Sequence, residues 1–199
     1  MDEAAKDLLE LRVSHLLEQL PGGPAPGSGA VAALTAALAS ALVGMVAKGS
    51  PNWSEGRAVA AQADALRRRL GPLSGENAAA YVRALDSLAL PDTLDAEERN
   101  RAIVDALGDA ADVPLRVAYA AADVALLAGE AGRCGEAALR PDATVAALLA
   151  AGAARAAAHL VDVNLTTTAG DQRVVQSRAL AESAEGAARA LLHSTADAP

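Results

Sequence analysis

Gly27-Ser28-Gly29 stands at the head of a run of small, mostly apolar residues that continues to Ala47. Pro24 and Pro26 forbid a regular element before it, and the two glycines let the backbone turn tightly. Ser28 is a favoured N-cap type, so a helix is expected to begin here. Its unpaired N–H groups and positive dipole end would point at one spot, which suits an anionic or carbonyl oxygen. A plain turn and cap would use the same residues. Asp142, after Pro141, stands at another expected helix start, as a cap and as a candidate polar site group. Asn164 falls among apolar residues, where an amide must find partners, either as a clamp between helices or as a site group. His159 and Asp162 are three apart and share a helical face. With no second histidine close by they are a weak metal signal, and no metal site is expected. Cys134, the one cysteine, can form no intramolecular disulfide and has no visible activating partner.

The elements that must position these residues are read from apolar spacing and breakers. Leu9, Val13, Leu16, Leu17 and Leu20 recur at helical spacing over roughly 3–20, and Pro21-Gly22-Gly23-Pro24 ends that segment. A second helix over 29–48 is apolar on all sides and is expected to run through the middle of the molecule. Ser54-Glu55 opens a third, which Gly71-Pro72 breaks, and Gly75 precedes a fourth that ends near Leu88. The acidic turn Asp95-Ala96-Glu97-Glu98 starts a fifth, to about Ala111, and Pro114 the next, to Gly132. The longest is expected over 143–168 with Asp142 as its cap. Gly170-Asp171 starts a final amphipathic helix that reaches His193, before a frayed tail.

Composition agrees with an all-α chain. Of its 199 residues 52% are apolar but only 2% aromatic, with no Phe, so the core must be built from Ala, Leu and Val. Ala and Leu head the helix scale, while the β-branched and aromatic residues of sheets are scarce. Small side chains bury little area each, so the helices must approach closely. The expectation is one domain over 1–199, a single bundle of about eight helices with a buried Ala-rich central helix and no sheet. The net charge of −8 offers no basic face for nucleic acid. The single cysteine and the acidic start Met1-Asp2-Glu3 fit a cytoplasmic protein. The run from Ala30 grazes the length of a membrane span, but its alanines, Thr35, Ser40 and Gly44 favour a buried helix, and no membrane partner is expected.

Pro26-Gly27-Ser28-Gly29-Ala30-Val31, with Leu42, Val43, Met45, Val46 and Ala47 near the end of the same helix, resembles the opening of the cyclodeaminase/cyclohydrolase family of folate one-carbon enzymes. That opening usually reads Pro-x-Pro-Gly-Gly-Gly-x-Val; Ser28 replaces its middle glycine. Further similarities follow in order: Ala80-Tyr81-Val82, Val113-Pro114-Leu115, Pro141-Asp142 against a Ser-Asp, and Val163-Asn164-Leu165 against an Ile-Asn-Leu. The resemblance implies an all-helical homodimer that holds a tetrahydrofolate derivative as substrate near the glycine-rich loop. No metal or organic cofactor is implied. The implied chemistry is cyclodeaminase (lyase) or methenyltetrahydrofolate cyclohydrolase (hydrolase) action, with Pro26, Gly27, Ser28, Gly29 and Tyr81 binding substrate.

The polar positions depart from that pattern. Three residues before Ala80 the family generally carries an aspartate suited to proton transfer, and this chain has Asn77. An amide is no general acid or base near neutral pH, and Glu76 lies about 100° away around a helix. Family asparagines are replaced by Glu136, Ala138 and Leu160. Asn77, Glu76, Asp142 and Asn164 are the candidate catalytic groups that the resemblance leaves. Two alternatives stand beside the folate enzyme: a relative repurposed for ring closure, deamination or hydrolysis of another substrate, and a non-catalytic helical binding dimer. Arg67-Arg68-Arg69 fans around a helix as a solvated surface, although a polyglutamate tail would also welcome its charge.

Overall fold

Two prolines expected at helix boundaries, Pro72 ending one and Pro114 beginning another, stand inside helices instead. The computed structural model describes residues 8–22, 27–91, 95–166, 168 and 170–196, so Pro26 lies outside the described residues. Among these are six α-helices: α1 Val13–Gln19, α2 Ser28–Lys48, α3 Gly56–Leu88, α4 Ala96–Cys134, α5 Arg140–Asn164 and α6 Gln172–Ala196. Short 3-10 turns occupy Leu8–Glu10, Leu20–Gly22 and Ala137–Leu139, and no strand occurs among the described residues. The all-α bundle is as expected, but the eight helices become six because α3 runs through Pro72 and α4 through Pro114.

A proline inside a helix frees the carbonyl four residues before it and usually breaks the element. Pro72 is exposed, as is Arg68 one turn earlier, so water can satisfy the freed group. Pro114 is buried, and so is Ala110, whose carbonyl it leaves without a helical donor. Asn164 supplies one: its Nδ2 donates to the Ala110 carbonyl at 3.1 Å. The amide is therefore an interhelical clamp that lets α4 continue across its proline. Asn164→Ala leaves a buried carbonyl unpaired and is expected to cost about 1–3 kcal/mol in urea unfolding.

Alanine sets the packing. Ala33, Ala36 and Ala39 of α2 and Ala147, Ala150 and Ala154 of α5 are fully buried. α4 packs on α3, α5, α6 and the inner side of α2. Ser40 of α2 is buried and donates to the Ala63 carbonyl of α3 at 2.6 Å, which ties those helices at close range. α2 and α3 run antiparallel, with Gly29 beside Asn77 at one end and Ala47 beside Gly56 at the other. α5 is antiparallel to α2: Leu139, just before it, packs on Gly49, just after α2. Both α2 and the segment Ala137–Asn164 are long and apolar enough to cross a membrane, yet each buries 56% of its most apolar stretch inside the bundle. α2 is central only on one side; Leu38 on its outer side is 65% exposed.

Candidate active site

The chain enters α2 through an extended Gly27, and Ser28 is already the first helical residue. This corrects the expectation of a Ser28 cap: Gly27 holds the cap position, and no side chain caps the helix there. The first N–H groups of a helix have no carbonyl within it to bond. Among the described residues no other acceptor takes those of Ser28, Gly29 and Ala30, although Gly29 and Ala30 are buried. At the mouth of α2 these donors thus have no acceptor among the described residues.

Against them lies Asn77 of α3. Its carboxamide fills the space that a β-carbon on residue 29 would take, with Oδ1, Cγ and Nδ2 all in that volume. Only glycine permits this seating. Asn77 is half-buried and its carboxamide has no hydrogen-bond partner among the described residues. Tyr81, one turn further along α3, is 42% exposed on the same side of the helix. An amide dipole and free helix-end donors meeting at one glycine can hold a water molecule or a carbonyl oxygen. They cannot themselves remove a proton.

The other candidate groups do not all join this junction. Glu76 points to α4, where Arg116 Nη1 meets its Oε2 at 2.5 Å. It is therefore no stand-in for an acid at position 77. Asn164 lies toward the same end of the bundle, but its Nδ2 is engaged by Ala110. Asp142 sits in the first turn of α5, beside the far end of α2. A 21-residue helix separates those ends by ~30 Å, so within one chain Asp142 and Asn77 cannot share a substrate. The expected Asp142 cap is also corrected, because the turn 137–139 feeds α5 directly and Leu139 takes the cap position. Asp162, paired with Arg178 at 2.6 Å, is no free ligand beside His159.

Gly27 and Gly29 of this junction coincide with the pattern described above, Ser28 departs from it, and comparison with known proteins agrees on the family. The family model described as formiminotransferase-cyclodeaminase matches residues 13–183. Methenyltetrahydrofolate cyclohydrolase of Methylorubrum extorquens is 35% identical over 153 residues, which cover 71% of this chain and 72% of that protein. The chain belongs to this folate one-carbon family. A solved formiminotetrahydrofolate cyclodeaminase from Thermotoga maritima has the same fold, with a TM-score of 0.81 at 20% identity over 94% of this chain and 98% of that one.

In this family member the end of the bundle that holds Asn77 is braced by charge that sequence reasoning missed. Arg173 of α6 contacts Asp171 at 2.8 Å, Asp112 at 2.7 Å and the Gly108 carbonyl at 3.0 Å. The only sequence signal was Asp171 at a helix start, where it accepts the Arg173 N–H at 2.9 Å. The Arg173 side-chain hydrogen bond, with the backbone bond and the cation's charge, holds the Asp171 carboxyl below the usual aspartate range. Arg67 does the same for Asp64 and Arg155 for Glu185. A carboxyl depressed in the folded state stabilises it above the unfolded pKa, near 4, and that contribution disappears as pH falls through the folded value. Thermal scans should therefore show a constant Tm from pH 5 to 7 and a fall below pH 4. In Arg173→Ala the Tm at pH 7 should drop by about 5 °C, and less of it should remain to be lost in acid.

Proposed function

We propose that this protein is a methenyltetrahydrofolate cyclohydrolase: it adds water to the carbon that bridges two folate nitrogens and opens the ring to a formyl derivative. The observation that carries the reading is the Asn77 carboxamide on Gly29, beside three helix-end N–H donors with no acceptor among the described residues. The cationic methenyl carbon accepts a water oxygen and one proton leaves to solvent; as the tetrahedral adduct collapses to the formyl C=O, one C–N bond breaks, and the released nitrogen keeps the electron pair and takes up the adduct's hydroxyl proton. Asn77 Oδ1 is suited to orient that water. The N–H groups of Ser28 and Gly29 are suited to stabilise the negative charge that develops on the adduct's oxygen as its hydroxyl proton leaves during collapse. Tyr81, exposed one turn along α3 from Asn77, is suited to offer a stacking surface for a flat ring. The 35% identical relative named for this activity supports the hydrolytic branch over the deaminating one.

The proposal further includes a single domain, a homodimer, a cytoplasmic location, a tetrahydrofolate substrate and no resident cofactor. Supplying purified protein with 5,10-methenyltetrahydrofolate and, separately, with 5-formiminotetrahydrofolate separates the branches. The first should lose its chromophore faster than buffer and yield 10-formyl product, while the second releases no ammonia. Ammonia release would assign the lyase branch instead. Turnover of neither, by protein with intact helical signal, would move the reading to another substrate, as the amide at position 77 also invites.

A further inference from the structure

The turn of α3 that carries Asn77 follows a stretch in which the helix is weak. Gly71, Pro72 and Gly75 all fall within the five residues before Glu76 and Asn77. Glycine lowers helix stability, and the proline deprives the Arg68 carbonyl of its helical donor. Buried Ser74 then turns its hydroxyl back on the Gly71 carbonyl at 2.7 Å, a bond of the kind that bends helices. Before this stretch α3 is tied to α2 through Ser40 and the Ala63 carbonyl. Asn77 lies beyond it.

Leu73 and Ala80 pack this part of α3 against the core. Such packing sets how near α3 lies to its neighbours. It does little to set the rotation of α3 about its own axis, because Ala80 offers only a methyl group. Rotation is what Asn77 is most sensitive to. A side-chain tip stands ~5 Å from a helix axis, so a turn of ~15° displaces it by more than ~1 Å. The seat on Gly29 leaves no such latitude, since the carboxamide fills the volume of a β-carbon there.

We infer that Arg116 of α4 is a positioning residue for Asn77, which it sets in place by holding Glu76. The inference rests on the folate reading given above and adds a residue outside the junction that the reaction depends on. Arg116 Nη1 meets Glu76 Oε2 at 2.5 Å. Successive residues of a helix project ~100° apart, so drawing Glu76 toward α4 fixes the direction in which Asn77 leaves α3. Arg116 is itself well anchored. It follows Pro114 by two residues, in the half of α4 where Pro114, Val117, Ala118 and Ala120 are buried. The pair therefore joins α3 beyond its weak stretch to the part of α4 that belongs to the core. Charge-assisted hydrogen bonds carry directional preference as well as energy. The two side chains are 55% and 44% exposed, and an exposed ion pair contributes little to stability. Its use here is geometric.

Two readouts test this, one of which needs no substrate. A nuclear Overhauser contact between the Gly29 Hα protons and the Asn77 carboxamide reports the seat directly in isotope-labelled protein. It should be present in the unmodified chain, lost in Arg116→Ala and kept in Arg116→Lys. Combining Glu76→Arg with Arg116→Glu should restore it. In turnover of 5,10-methenyltetrahydrofolate, Arg116→Ala should lower kcat by about 10-fold, less than a fixed ~1 Å misplacement can cost, because the unheld helix still visits the right rotation. KM should change by less than about twofold, since Arg116 does not bind substrate. The Tm should stay within about 3 °C of the unmodified protein. Glu76→Ala should reproduce the same losses, and the two changes together should not add. A contact that persists in Arg116→Ala would overturn the inference, as would a raised KM at unchanged kcat, which would put Arg116 on the substrate itself. Loss of the contact with kcat unchanged would uphold the positioning role and instead remove Asn77 from the reaction. The contact decides the inference in the same way if the protein turns over no folate.

Discussion

Asn77→Asp is expected to raise the rate of methenyl-bridge opening by about 100-fold, the lower end of what a positioned general base contributes. Residue 77 already sits over Gly29 beside N–H donors that have no acceptor among the described residues, so an isosteric carboxylate occupies the same space and adds the one capacity the amide lacks. It can take the proton that water gives up as it adds to the bridge carbon. The variant's rate should rise with pH as the new carboxyl ionises and then level, whereas the wild-type rate lacks that step. Initial rates across pH 4 to 8 read this directly. An unchanged or lower rate would mean that position 77 does not face the reacting water.

Gly29→Ala should cut turnover by about 100-fold while stability changes by less than about 1 kcal/mol. The added methyl overlaps the Asn77 carboxamide, which is the tip of a half-buried side chain and can rotate away. Near the start of a helix, alanine offsets part of the cost through its better propensity. What is lost is the placement of the amide, and displacement of a positioning group by ~1 Å can cost two orders of magnitude in rate. Gly29→Ala and Asn77→Ala should therefore not add: the double variant should be no slower than the slower single variant. Equal and additive losses would show that glycine acts through something other than residue 77.

The parts of this molecule legible in its residues are those decided locally. Alanine and leucine density fixes the all-helical class, and the Gly27–Gly29 turn marks the head of α2. The helix count differs from expectation because Pro72 and Pro114 look alike in sequence. One is tolerated because its freed carbonyl faces water; the other because Asn164, 54 residues away from Ala110, donates to it. No local pattern contains that second fact. For the same reason spacing alone holds Asn164 between clamp and site group, and the structure shows the clamp bond from its Nδ2 to Ala110. Asp142 stands out in sequence by its place after a proline, a signal that is blind to which end of the bundle α5 starts from. Its distance from Asn77 follows from α5 running antiparallel to α2, which depends on how Leu139 packs at Gly49. Conversely, Gly29 reads in sequence as a turn residue, when its lack of a side chain serves the close approach of Asn77.

The central claim is that folate binds where Asn77 rests on Gly29 at the open end of α2. Hydrogen–deuterium exchange with and without a stable analogue, 5-formyltetrahydrofolate, tests it most directly. The account predicts slowed exchange of amides in 27–31, where the helix-end donors gain an acceptor from the analogue, together with protection of 74–82 in α3. Exchange unchanged in both segments at saturating analogue would contradict it.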